Sequence, residues 1–241
     1  MTAIETRGLT KRYGGKAAVE DLDLRVEQGE LFALLGVNGA GKSTTIKMLS
    51  CLVRPTAGDA LLLGDSILTA PEAVKRKINV SPQETAVAPN LTVRENLELM
   101  AGLYGGRDRR AQADRMLLEL GLGEAAGSRA KILSGGWQRR LSIAMALISS
   151  PQILFLDEPT LGLDVLARRE LWSVIQGLKG RTTIILTTHY LEEAEALSDR
   201  VGVMAGGRLR AAGAPAQLMA QAGCDTFEDA FVALAAGKGA A

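Results

Sequence analysis

Apolar positions along this chain follow two periods. From Leu22 to Val26 apolar and charged residues alternate (Leu22, Leu24, Val26), the two-residue period of a half-buried strand. A Gln28-Gly29 turn follows, then the unbroken run Leu31-Phe32-Ala33-Leu34-Leu35, which suits a strand covered on both faces. Comparable runs recur at Ile153-Leu154-Phe155-Leu156 and Thr183-Ile184-Ile185-Leu186. Helical spacing occurs between and after them, as one stripe of Leu171, Val174, Ile175 and Leu178 and another of Leu141, Ala144, Met145 and Ile148. Buried strands alternating with amphipathic helices predict an α/β fold with a parallel sheet covered on both sides.

The middle third carries a different pattern. Between Thr92 and Ile148 no strand period is found, only helical segments. Thr92-Val93-Arg94-Glu95 reads as a capping box opening a helix that runs towards Tyr104 and ends at Gly105-Gly106. A second helix spans Arg110 to Leu120 and stops at Gly121. The expected organisation is one domain over 1–241, with a core lobe from 1–84 and 150–213, a helical subdomain at 85–149 and a short C-terminal element at 214–241. That last element is Ala-rich, with one short stripe (Phe227, Phe231, Leu234) and a Gly-Lys-Gly-Ala-Ala end expected to fray.

Composition then removes several function classes. Of 241 residues 47% are apolar, enough for a sizeable core without disulfides or metal. Twenty-eight basic residues against 27 acidic ones leave a net charge of +1, which argues against a nucleic-acid role. Accordingly Arg139-Arg140, Arg168-Arg169 and the Arg107–Arg110 cluster are read as solvated helix or loop surface. Cys51 and Cys224 form no C-x-x-C pattern. His189 is the only histidine, so no site needing two His ligands is available. No apolar run approaches the ~18 residues of a membrane span and no leader pattern opens the chain, so a cytosolic location is expected unless a partner brings the chain to a membrane.

Three motifs carry chemistry. Gly36-Val37-Asn38-Gly39-Ala40-Gly41-Lys42-Ser43-Thr44 fits G-x-x-x-x-G-K-[ST]. It follows the buried strand Leu31–Leu35 and precedes Ile46, Leu49 and Leu52 at helical spacing. Its glycines let backbone N–H groups curl around phosphates, Lys42 reaches the β- and γ-phosphates, and the Ser43 hydroxyl suits Mg2+. The strand Ile153–Leu156 ends in Asp157-Glu158. Carboxylates at a strand end are often mere solvated caps, but beside a phosphate loop Asp157 can hold Mg2+ while Glu158 activates a water. Leu133-Ser134-Gly135-Gly136-Trp137-Gln138 precedes a long helix. It reads either as a Ser N-cap with a Gly turn or as a second anion site.

With these motifs in this order, the chain resembles the ATP-binding subunit of an ABC transporter. Leu133–Gly136 match that family's L-S-G-G-Q signature, and Trp137 stands where Gln is commonest. The resemblance covers Ile4 to Gly213. It implies that Tyr13 stacks on adenine, that Gln83 senses Mg2+ and the attacking water, that Gly162-Leu163-Asp164 crosses a dimer interface, and that His189 contacts the γ-phosphate. It further implies a P-loop NTPase core with a mixed, mainly parallel sheet, a small antiparallel β portion and an inserted helical subdomain. Two chains, copies or paralogues, are expected head to tail, each ATP lying between one phosphate loop and Ser134–Gly136 of the other chain. The partner implied is an integral membrane permease, with the ATPase peripheral on the cytoplasmic face. Thr187–Glu195 and Thr226–Phe231 are similar to exporter ATPases of the drug and antibiotic efflux type, so export of a drug-like, antibiotic, lipid or ion substrate is expected.

Other readings fail specific tests. No Asn or Thr-Lys pair supplies the N-K-x-D base reader of GTPases, since Thr10-Lys11 lacks the Asp. Small-molecule kinases need neither the signature nor the acidic pair, and a binding module without hydrolysis conflicts with Glu158. The alternative kept is a soluble ABC ATPase in cofactor or macromolecular assembly.

Overall fold

A computed structural model describes residues 1–237; of the end expected to fray, Gly237–Ala241, residues 238–241 lie outside the described residues. The chain opens with β1 (Thr2–Tyr13), β2 (Lys16–Leu22), β3 (Arg25–Glu27) and β4 (Leu31–Leu35), then α1 (Lys42–Leu49). β5 (Ala57–Leu62), β6 (Asp65–Ser66), α2 (Pro71–Lys75) and β7 (Ile78–Ser81) follow. Three helices come next, α3 (Val93–Leu103), α4 (Arg109–Glu119) and α5 (Gly135–Leu147). Then β8 (Ile153–Asp157), α6 (Val165–Gln176), β9 (Thr183–Thr188) and α7 (Leu191–Leu197) alternate. β10 (Arg200–Ala205), β11 (Arg208–Gly213), α8 (Pro215–Ala222) and α9 (Phe227–Ala235) complete the described chain.

The larger sheet has the order β11-β10-β4-β9-β8-β7. Every pair from β10 to β7 is parallel, and only β11 is antiparallel. The apolar runs are unbroken because both faces of this sheet are covered. Leu31, Ala33 and Leu35 enter one core with the helices of the middle and C-terminal thirds, whereas Phe32 and Leu34 enter a second core with α1, α2 and the smaller sheet. β8 divides likewise, Leu154 and Leu156 from Ile153 and Phe155. Period 2 thus survives as a choice between two cores rather than between core and water.

The smaller sheet pairs β1 with β2, β3 and β5, all antiparallel, with β6 at the edge. The single strand expected from Leu22 to Val26 is two strands. Thr6 Oγ1 accepts from Leu24 N and donates to Leu22 O, both at 2.7 Å, and Asp23 accepts from Gly8 N at 2.7 Å. These bonds break the ladder at Asp23-Leu24, so β2 and β3 meet different parts of β1.

Between β7 and β8 lie only helices, two short 3₁₀ turns and loops. Thr92 closes the capping box on Glu95 as expected. α5 is buried almost all round rather than along one stripe, since Ser142, Ile143, Ala146 and Leu147 are buried too. Leu52 falls past the end of α1 and is exposed, not on the helix.

Candidate active site

Strands β4, β7, β8 and β9 point the same way, so their carboxyl ends share one edge, where ligands of such sheets bind. The loop from Gly36 to Gly41 leaves β4 there and turns into α1. Glycine is needed at both its ends. A Cβ at Gly36 would lie 2.4 Å from the Met204 carbonyl oxygen, and one at Gly41, whose φ is 105°, would lie 2.5 Å from Ala18 O. Lys42 is buried, with Nζ donating to Gly36 O at 2.7 Å. A cleft of about 550 Å³ opens over this loop. It brings together Tyr13, Asn38, Gly39, Ala40, Gly41, Lys42, Ser43, Thr44, Gln83 and Glu158.

The two carboxylates take different partners. Asp157 Oδ1 accepts from Ser43 Oγ at 3.0 Å and from Thr187 Oγ1 at 2.5 Å. Glu158 follows with φ 48°, a left-handed conformation that a non-glycine residue adopts only when its surroundings hold it. The Thr187 carbonyl and hydroxyl both accept its N–H, at 3.1 and 3.0 Å. The turn delivers a buried carboxyl with Oε1 3.3 Å from Lys42 Nζ and Oε2 2.7 Å from His189 Nδ1. Lys42, Ser43, Asp157, Glu158 and His189 therefore form one connected group.

Ser134, Gly135, Gly136 and Asp164 lie outside the cleft lining. Ser134 takes the N-cap position of α5, yet its hydroxyl makes no capping bond, and Ser134 and Gly135 are exposed. Asp164 caps α6, accepting from Leu166 N and Ala167 N at 3.0 Å. The two segments sit side by side, since a Cβ on Gly136 would meet that of Ala167 at 3.0 Å and one on Gly135 would meet Leu163 at 3.5 Å. The Trp137 ring is half-buried beneath Arg140, whose guanidinium carbon is 5.2 Å from the ring centre.

The arginines expected to be solvated include structural ties. Arg139 is buried and donates to Pro82 O at 2.6 Å and Gln83 O at 2.5 Å, fastening α5 to the loop that carries Gln83. Burial pulls its pKa down, while Asp157 and Glu193 pull it back up. Arg140 pairs with Glu170 at 2.9 Å. Arg168 lies over the Tyr190 ring, 4.4 Å from its centre. Arg107, Arg109, Arg110 and Arg169 are exposed as expected. Thr187 was not singled out by its sequence context, although a threonine pair closing an apolar strand opposite Asp157-Glu158 is a usable signal.

Comparison with known proteins agrees with this geometry. The family model described as ABC transporter matches residues 19–161, more than half of the chain. The chain belongs to the ABC transporter family. As an ABC ATP-binding subunit it binds and hydrolyses ATP, on the P-loop NTPase fold expected. It is 44% identical over 228 residues to the daunorubicin/doxorubicin resistance ATP-binding protein DrrA of Streptomyces peucetius, covering 93% of this chain and 69% of that protein. Among solved structures, an ATP-binding subunit of an ABC transporter superposes with a TM-score of 0.84 at 32% identity, over 97% and 99% of the two chains. A dimeric ATP-binding cassette in a post-hydrolysis state with ADP and Pi gives 0.77 at 27% identity, over 88% and 98%.

Proposed function

We propose that this ABC ATPase powers export of a drug-like, antibiotic, lipid or ion substrate through a separate integral membrane permease, from the cytoplasmic face of the membrane. The observation that carries the reading is the separation of the signature from the chain's own cleft. The cleft gathers the phosphate loop, Gln83 and Glu158, while Ser134–Gly136 stand elsewhere, with Ser134 and Gly135 exposed. A second chain placed head to tail supplies the missing anion donors to each ATP. The similarity to DrrA supports the exporter assignment. No helix among the described residues is long and apolar enough to cross a membrane, so the path for substrate is assigned to the permease.

In this reading Lys42, the glycine N–H groups and the start of α1 bind the phosphates. A phosphate that draws Lys42 Nζ away leaves Glu158 Oε1 free to accept a proton from water. His189 Nδ1 holds Oε2, so its Nε2 is the nitrogen available to the γ-phosphate. Tyr13 serves the adenine. The residues present fit Mg2+: Ser43 Oγ and Asp157 Oδ1 stand 3.0 Å apart as hard oxygen donors, with Gln83 on the same cleft. Ser43 and Asp157 would hold the ion from the protein side. Mg2+ neutralises phosphate charge when bound. The lobes at 1–84 with 150–213 and at 85–149 are proposed as the core and helical subdomains.

The test is recovery of partners on tagged Glu158→Gln protein from detergent-solubilised native membranes with ATP, read by mass spectrometry. A multi-helix membrane protein at near-equal amount is expected. Recovery of soluble assembly factors or ribosomes alone would overturn the transport assignment and favour the assembly ATPase.

A further inference from the structure

One buried carboxyl near the site has no part in the chemistry above. Glu193 stands on α7, four residues past His189, and is fully buried. Its Oε1 accepts from Trp172 Nε1 on α6 at 3.1 Å. Its Oε2 has no hydrogen-bond partner, and neither has the buried Thr160 hydroxyl. A buried carboxyl in such surroundings is costly compared with an apolar side chain of the same size, so packing alone does not account for it.

Its neighbours come from four elements around the site. Arg168 and Trp172 face it from α6, Thr160 from the loop after β8, Thr188 from the end of β9 and Arg139 from α5. Arg168 also lies over Tyr190, whose ring is 4.2 Å from that of His189, centre to centre. Helix α6 therefore reaches the His189 segment twice, through Arg168 on Tyr190 and through Trp172 on Glu193. The same helix begins at Asp164, beside Ser134–Gly136.

We propose that Glu193 is a positioning residue: by tying α7 to α6 through Trp172 it fixes His189 against Glu158, so that the alignment follows wherever the Asp164 loop holds α6. The inference rests on the reading of Glu158 and His189 as the hydrolytic pair. Burial raises the Glu193 pKa, against the opposing pull of Thr188, Thr160, Trp172 and Arg168. A neutral carboxyl has an O–H to offer from Oε2, and Thr160 Oγ1 is an unpartnered acceptor for it. Glutamine has the same pair of functions, one acceptor and one donor, whereas alanine has neither.

Because His189 is the only histidine, an untagged full-length chain gives a single imidazole Cε1–H signal by NMR, read without hydrolysis. Glu193→Ala and Trp172→Phe are expected to move that signal in the same direction as Glu158→Gln. Both are expected to lower kcat at least about tenfold with KM within about twofold, the pattern of lost alignment rather than lost binding. Glu193→Gln is expected to restore most of the turnover lost in Glu193→Ala. Should Glu193→Ala not fold, Trp172→Phe, which keeps the ring and loses the N–H, carries the test. An unmoved His189 signal with wild-type kcat in these variants would overturn the proposal, as would a rise in KM at unchanged kcat. A Glu158→Gln chain that still turns over ATP would sink the hydrolytic-pair reading instead, while the His189 signal still decides the tie.

Discussion

Glu158 is held at both ends of its carboxylate, with Oε2 2.7 Å from His189 Nδ1 and Oε1 3.3 Å from Lys42 Nζ. One residue therefore links the end of β9 to the phosphate loop, and it does so from a left-handed backbone conformation. In that position its side chain reaches the cleft above Lys42, whereas Asp157, one residue earlier, turns to Ser43.

The first consequence is for the chemical step. Glu158→Gln keeps the shape of the side chain but removes the proposed base. Steady-state ATP hydrolysis should fall by about 10²-fold or more, the usual contribution of general acid–base catalysis, with ATP still bound. Wild-type turnover in the variant would remove Glu158 from that role.

Tyr13 lines the cleft yet is half-exposed, with Lys11 Nζ 5.1 Å from the ring centre. As an adenine platform its loss should cost about 1–3 kcal/mol of binding, roughly a 5- to 150-fold rise in Kd. Fluorescent-nucleotide titration of Tyr13→Ala checks this, and an unchanged Kd would make it a surface aromatic.

Ser43 and Asp157 predict a metal phenotype separable from nucleotide binding. Ser43→Ala should raise the Mg2+ concentration for half-maximal hydrolysis by about tenfold or more. ATP affinity in EDTA should stay the same. Equal losses with and without Mg2+ would place Ser43 on the phosphates alone.

Burial raises the Glu193 carboxyl above its ordinary 4.5. The folded chain thus keeps a proton that the unfolded chain releases. The stability this group contributes is complete below the unfolded value and is lost as pH climbs through the folded one. Glutamine cannot ionise, so Glu193→Gln should gain thermal stability relative to wild type as pH rises above the ordinary carboxyl value of 4.5. A Tm difference that stays constant with pH would contradict this.

The strands of the larger sheet were legible where apolar residues occupy both faces, as in Leu31–Leu35 and Ile153–Leu156. β10 was not, because Gly202 interrupts its apolar run. A Cβ there would come within 2.9 Å of the Phe32 ring, so the glycine marks close strand packing rather than a turn. β1 was also obscure, since its register shifts spread polar residues over both faces. The phosphate loop and Asp157-Glu158 could be found because each closes a patterned strand, whereas His189 was legible only through the family resemblance. Arg139, Arg168 and Glu193 could not be found, because a charged residue on a helix reads as solvated until the elements around it are placed. Leu191–Leu197 carries three glutamates, and only tertiary packing distinguishes the buried Glu193 from Glu192 and Glu195.

We propose that the signature of each chain serves the other chain's nucleotide. Light scattering of Glu158→Gln at millimolar MgATP should show the mass of the chain doubling. Ser134→Arg, which places a bulky cation on the exposed donor surface, should leave the same protein monomeric with ATP still bound. A protein that stays monomeric at saturating MgATP, or a Ser134→Arg variant that dimerises as well as its parent, would contradict a site shared between two chains.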